Sequence, residues 1–112
     1  MSIELPVLTV LPDLRMDLRP PDVSAGIEVA ALIADPTRAR ILAMLRDGPH
    51  CVCEMAAALD ERQNNVSNHL ARLRDAGLVQ VSRGPSDGRR VYYERVEAAC
   101  AAAVAAVGEI LG

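Results

Sequence analysis

In the stretch Gln63-Asn64-Asn65-Val66-Ser67-Asn68-His69-Leu70-Ala71-Arg72-Leu73-Arg74-Asp75-Ala76-Gly77-Leu78-Val79, the residues Val66, Leu70 and Leu73 fall at i, i+4 and i+7. That spacing is one apolar stripe of an amphipathic helix. The other faces carry Gln63, Asn64, Asn65, Ser67, Asn68, His69, Arg72 and Arg74. Their amide, hydroxyl, imidazole and guanidinium groups are the set that hydrogen-bonds base edges and phosphates. Asn and Ser lower helix propensity, so their density at a helix start needs a reason, and groove recognition by the first turns supplies one. An ordinary solvated surface helix is the competing reading. Gly77 stops the helix, and Leu78-Val79 opens a strand.

Working outward, Asp60-Glu61-Arg62 is a tight connection back to a short apolar segment, Cys51 to Leu59, with Met55, Ala56 and Leu59 as core contacts. Two short helices joined by a three-residue turn, the second exposing hydrogen-bonding groups, is a helix-turn-helix. Before it, Val23 to Ala34 reads as a helix with Ser24 as N-cap and Ile27, Ala30, Ala31 and Ala34 on one face. Asp35-Pro36 starts a second helix with Ile41, Leu42 and Leu45 buried, and Asp47-Gly48-Pro49 ends it. After Gly77, Leu78–Arg83 and Arg89–Val96 alternate as strands around a Gly84–Gly88 turn. That hairpin is a wing, with Arg83, Arg89 and Arg90 beside its tip for phosphate or minor-groove contact. Charged protection of an edge strand competes for the same arginines. Glu97 to Leu111 is an Ala-dominated helix with Cys100, Ala103, Val104, Val107 and Leu111 along one side. The expected fold is mainly α with a β-hairpin wing (α+β), a dimeric winged helix-turn-helix. Residues 1–22, with Pro6, Pro12, Pro20 and Pro21, form an extended or partly disordered arm. Residues 23–112 form the domain, its first and last helices making the dimer interface.

Composition narrows the function classes. The chain has no Trp, no Phe and two Tyr, so its core is built from Ala, Val, Leu, Ile and Met. Small residues in such a core favour close helix packing and a subunit interface. No apolar run approaches a membrane span and no leader opens the chain, so a cytoplasmic protein with no membrane partner is expected. Net charge is −3, but the distribution matters more than the total. Residues 1–61 hold 5 Arg against 10 Asp and Glu, residues 62–95 hold 7 Arg against 3, and residues 96–112 hold 2 Glu. A basic middle between acidic ends marks where double-stranded DNA would sit.

Asp35-Pro36-Thr37-Arg38, Ile41-Leu42, Cys51-Val52-Cys53-Glu54-Met55, Val66-Ser67-Asn68-His69-Leu70, Leu73-Arg74 and Ala76-Gly77-Leu78-Val79 together resemble the ArsR/SmtB metalloregulatory repressors, over roughly residues 25 to 111. The resemblance implies a homodimeric winged-helix repressor of a resistance or efflux operon that leaves DNA on binding a metal. Cys51-Val52-Cys53 resembles the arsenic-sensing subgroup, although Ala56 stands where that subgroup carries a third Cys. The cadmium and lead relatives draw thiolates from the N-terminal arm, which here has none. The zinc-sensing relatives use the last helix, where only Glu97 of that ligand set remains.

Soft thiolates select soft ions, so As(III) is the expected inducer, with Cd(II), Pb(II) and Sb(III) as alternatives. Cys51 and Cys53 sit at a helix N-terminus, which favours thiolate. At i and i+2 they lie about 200° apart on a helix, so binding both should unwind or shift its first turn. An odd count of three thiols in a reducing compartment makes a structural disulfide unexpected. Cys100 is a candidate third ligand or a packing residue, and His50 a candidate ligand or a solvated side chain. Two buried core thiols at Cys51 and Cys53, a redox switch pairing Cys100 with one of them, and a DNA-binding module without a ligand remain as alternatives. A thiol oxidoreductase fits poorly, because the motif is CxC and no βαβ pattern surrounds it. The chain is therefore expected to be no enzyme.

Overall fold

The computed structural model describes residues 18–82 and 90–112. The expected tip arginines Arg83 and Arg89, the Gly84–Gly88 turn and residues 1–17 of the expected arm lie outside that range. Residues 18–23 carry no helix or strand.

Among the described residues, five helices and three short strands follow in order: α1 (Ser24–Ile33), α2 (Pro36–Met44) with a 3-10 turn (Leu45–Asp47), β1 (His50–Cys51), α3 (Val52–Leu59), α4 (Gln63–Asp75), β2 (Val79–Val81), β3 (Tyr92–Arg95) and α5 (Glu97–Leu111). No helix among the described residues is long and apolar enough to cross a membrane. The α3–turn–α4 unit stands where the sequence puts it. Asp60 takes the left-handed conformation (φ 54°, ψ 47°), which turns the chain out of α3. The stripe of α4 is fully buried, with Val66, Leu70 and Leu73 at 0% exposure. They meet Ile41 and Leu45 from α2, Met55 and Ala56 from α3, and Leu78, Val79 and Cys100.

The end of α4 shows why Gly77 is glycine. Its φ is +83°, and the Leu78 N–H reaches back to the Leu73 carbonyl at 3.0 Å while the Gly77 N–H bonds to Arg74 O at 2.8 Å. This paired closure of the last turn requires the left-handed conformation at that one residue. Leu78 is thereby aimed into the core and starts β2.

Three expectations are corrected. First, the sheet has three strands in the order β1-β3-β2, not two. His50 pairs with Tyr93 and Cys51 with Tyr92, while Val79 to Val81 pair with Arg95 to Tyr93. Two residues are too few for any periodicity to announce a strand. Second, Ser24 is the first helical residue of α1, and Val23, at the N-cap, makes no side-chain cap. Asp22 does the capping work instead: its Oδ1 accepts from Ser24 N–H at 3.0 Å and from Ser24 Oγ. Third, the buried side of α1 is Gly26, with Val29 and Leu32 half-buried, whereas Ile27, Ala30, Ala31 and Ala34 are exposed. On α5, Cys100, Ala103 and Val107 turn inward, and Val104 and Leu111 are exposed. The apolar side chains of α1 and α5 thus point two ways, some toward each other and some outward.

Gly26 sets the α1–α5 distance. A Cβ there would lie 2.5 Å from the carbonyl oxygen of Ala106 and 2.8 Å from the Ile110 Cδ1. A backbone atom cannot swing aside as a side chain can, so Gly26→Ala must push the helices apart. Overpacking of this kind costs about 1–3 kcal/mol. Thermal unfolding of Gly26→Ala should show the loss, and an unchanged midpoint would mean that α1 and α5 are not held this closely.

Candidate nucleic-acid interface and thiol site

The N-terminus of α3 is built around Cys51. This residue ends β1 and occupies the N-cap with extended backbone (φ −84°, ψ 162°). Its sulfur accepts the Glu54 N–H at 3.2 Å, and the Glu54 carboxylate accepts the Cys51 N–H at 2.9 Å. This is a capping box in which a sulfur replaces the usual hydroxyl. The Cys51-x-x-Glu54 spacing carries that signal in the sequence, hidden because such boxes are ordinarily read from Ser or Thr. His50 lies beside it, Nδ1 3.6 Å from Glu54 Oε1.

Cys51 and Cys53 are joined as a disulfide, their Cα atoms 5.3 Å apart. This differs from two expectations, that a structural disulfide is not the first reading of these thiols and that Cys51 and Cys53 both occupy helical positions. The helix begins at Val52, so Cys51 is outside it and is not bound by the angular spacing of helical positions. The two sulfurs therefore meet at the start of α3 with the helix in place. Cys51 is buried and Cys53 half-buried, which gives the pair one accessible side.

Cys100 is not part of this pair. It is a free, buried thiol whose sulfur points to the Leu78 carbonyl at 3.7 Å, among core side chains. Among the described residues no three His, Cys, Asp or Glu side chains come together as a metal-holding group. The alternative that pairs Cys100 with Cys51 or Cys53 is not the bond present, which joins the latter two.

On α4, Gln63, Asn64, Ser67, Asn68, Arg72 and Arg74 are exposed. Asn64, Ser67, Asn68 and Arg72 follow i, i+3, i+4 and i+8, one continuous polar ridge. Two expected members of this set are engaged inside the protein instead. Asn65 donates to Glu61 Oε1 at 2.7 Å. His69 lies 3.2 Å from Arg38 Nη1 and 3.9 Å from Asp35 Oδ1, with its side chain only 17% exposed. Both are half-buried, His69 toward α2 and Asn65 beside the turn, where it lines a polar surface hollow with Asn64 and Asn68. Arg90 is exposed, just ahead of β3.

Asp35 caps α2 as expected, accepting from Thr37 N–H at 2.9 Å and Arg38 N–H at 3.1 Å. The bond from the Arg38 backbone holds its carboxyl below the usual carboxylate range; burial opposes this, and nearby His69, the Thr37 N–H and the Arg38 charge add to the lowering. A depressed folded value means that this stability is present above the unfolded pKa, about 3.9, and is lost as pH falls through the folded one. Asp35→Asn keeps a capping side chain but no charge. Its melting temperature should fall less steeply than wild type below about pH 4, and parallel acid limbs would count against the charge's role.

Comparison with known proteins now bears on this geometry. The family described as "Bacterial regulatory protein, arsR family" matches residues 35–81, from the cap of α2 through β2. The HTH-type transcriptional regulator CmtR of Mycobacterium bovis is 38% identical over 88 residues, covering 79% of this chain and 72% of that protein. The chain belongs to the ArsR family. The arsenic resistance transcriptional regulator ArsR1 of Pseudomonas putida is 47% identical over 62 residues, 54% of this chain, and the match spans 46% of its length. Among solved structures, a possible transcriptional regulator for arsenical resistance superposes with a TM-score of 0.65 at 30% identity, covering 73% of this chain and 82% of that one. The ArsR-family segment contains both the thiol pair and the exposed ridge of α4, and the fold neighbours are winged helix-turn-helix regulators, not enzymes.

Proposed function

We propose that the protein is a homodimeric repressor that holds operator DNA through α4 and the wing. It releases that DNA when As(III), or another soft ion such as Cd(II), Pb(II) or Sb(III), binds the thiolates of Cys51 and Cys53. The observation that carries this reading is the meeting of the two sulfurs at the cap of α3, the first helix of the helix-turn-helix. Two thiolates are a soft donor set suited to As(III), and their number falls short of the four that tetrahedral Zn(II) takes in closed sites. The name of the Pseudomonas relative supports arsenic as the inducer. For dimerisation, the support is the apolar side chains that α1 and α5 leave exposed: Ile27, Ile33, Val104, Ile110 and Leu111.

The coupling follows from what Cys51 already does. Its sulfur lone pairs cap α3, and its backbone pairs with Tyr92 of β3, one arm of the wing. Both sulfurs must first be thiolates, so a cellular dithiol reduces the Cys51–Cys53 bond by exchange, supplying two electrons and two protons and becoming a disulfide itself, and the thiol protons then leave on metal binding. An ion on the Cys51 sulfur would compete with the Glu54 N–H for its electron density and re-aim the sulfur that caps α3. The start of α3 and the register of β1 on β3 then respond together, and these two elements lead to α4 and to the wing. Coupling energies of this kind are typically about 1–3 kcal/mol, reciprocal between DNA and ion.

A redox reading has its own support in the Cys51–Cys53 bond. The two are separated by anisotropy of a labelled operator duplex at fixed salt, titrated in turn with arsenite, cadmium, lead, zinc and hydrogen peroxide. Release by arsenite with indifference to peroxide supports the metalloid sensor. Release by peroxide alone, reversed by dithiothreitol, would replace it with a thiol switch.

A further inference from the structure

We infer that Arg38 and His69 are positioning residues that fix the rotation of α4 about its own axis, and so decide which side chains it offers to DNA, without contacting DNA themselves. The inference rests on the reading of α4 as the DNA-reading helix. The guanidinium of Arg38 touches two other helices. Its Nε donates to the Leu32 carbonyl at 2.6 Å. That carbonyl belongs to the last turn of α1, where helical acceptors lack partners and no basic residue of α1 serves them. Its Nη1 lies 3.2 Å from His69 Nδ1 on α4. A guanidinium has donors only, so Nδ1 is the acceptor and the ring proton sits on Nε2, facing Asp35 Oδ1 at 3.9 Å. One planar, rigid fork therefore joins α1, α2 and α4.

The apolar stripe of α4 cannot do the same job. Val66, Leu70 and Leu73 set the depth and the coarse rotation of the helix, but apolar contact is non-directional and leaves a small roll cheap. A hydrogen bond on the flank is directional and does not. His69 sits on that flank, between the buried stripe and the exposed ridge of Ser67, Asn68 and Arg72. A roll that breaks its bond to Arg38 turns the ridge away from the groove.

The test uses the full chain. Nitrogen-15 NMR of the imidazole should show the Nε2–H tautomer for His69 in wild type and its loss in Arg38→Ala. Arg38→Ala and His69→Ala should each weaken operator binding about tenfold. His69→Asn should recover most of the affinity, because its Oδ1 can accept near the Nδ1 position, and Arg38→Lys should not, because it lacks the fork. The dependence of affinity on salt should keep its slope in all four variants, whereas Arg72→Ala should lower it by about one. A slope reduced by about one in Arg38→Ala or His69→Ala would make these phosphate contacts and overturn the proposal. So would unchanged affinity, or a His69→Asn protein as weak as His69→Ala. If Asn68→Ala and Arg72→Ala leave affinity intact, α4 is not the reading helix and the positioning role falls with that assignment. If they weaken binding and the Arg38 and His69 variants do not, only the positioning role falls.

Discussion

Arsenite added to the reduced protein on its operator duplex should release the DNA near stoichiometry, and Cys51→Ser or Cys53→Ser should abolish the release while leaving DNA affinity close to wild type. The serine variants are informative because of what the sulfur of Cys51 does besides its chemistry. It is the cap acceptor for the Glu54 N–H, and Ser is among the best residues for that task. Cys51→Ser thus keeps the cap and removes the soft ligand. Cys51→Ala removes both, and the lost cap should cost about 1 kcal/mol of stability in addition. Cys53 carries no cap, so its serine and alanine variants should fold equally well. Cys100→Ser should still respond to arsenite, since that thiol sits apart in the core against the Leu78 carbonyl. Arsenite release that persisted in both Cys51→Ser and Cys53→Ser would end the thiol-pair reading. Release lost only in Cys100→Ser would move the sensor to α5.

The largest effect on stability should come from Leu70→Ala. Leu70 is fully buried at the middle of the α4 stripe, in the cluster shared by α2, α3, α4, β2 and α5. Truncating a buried Leu loses its transfer energy and leaves a cavity, together about 2–5 kcal/mol. Domains of this size have total stabilities of about 5–15 kcal/mol, and with no Trp or Phe this core has few large side chains to collapse into the gap. A fall in melting temperature of roughly 10–30 °C follows. Operator binding should fail in parallel with folding, and should return on cooling or at high protein concentration if dimerisation supports the fold. A loss below about 1 kcal/mol in denaturant unfolding would show that α4 is not anchored through this residue.

Much of this architecture was legible because its signals are periodic or local. The Val66/Leu70/Leu73 stripe, Asp35-Pro36 and Gly77 each act within one or two turns of chain, and the structure has them doing what those residue types do. What escaped the sequence depends on partners far away along it. Strand β1 exists because β3 lies beside it, not because His50-Cys51 has a strand pattern. The buried side of α1 is set by the need for Gly26 to approach Ala106, a contact that hydropathy cannot express, and Ile27 turned out exposed for the same reason. His69 was read with its polar neighbours because a helical wheel gives it the same polarity. Its actual partners, Asp35 and Arg38, sit more than thirty positions earlier. At the thiols the i, i+2 spacing misleads because Cys51 stands one residue ahead of α3 and escapes the angles of helical positions.

The dual role of the Cys51 sulfur also bears on how such a regulator can change over time. Cysteine and serine codons differ by a single base, and serine satisfies the same backbone N–H at the start of α3. If Cys51 senses as proposed, loss of sensing lies one mutation away along a path that keeps the cap of α3. A population carrying this gene could drift between an inducible and a permanently silent operon without passing through a misfolded intermediate. The reverse step is equally short, so a Ser-x-Cys relative would be a dormant sensor and not a different kind of protein.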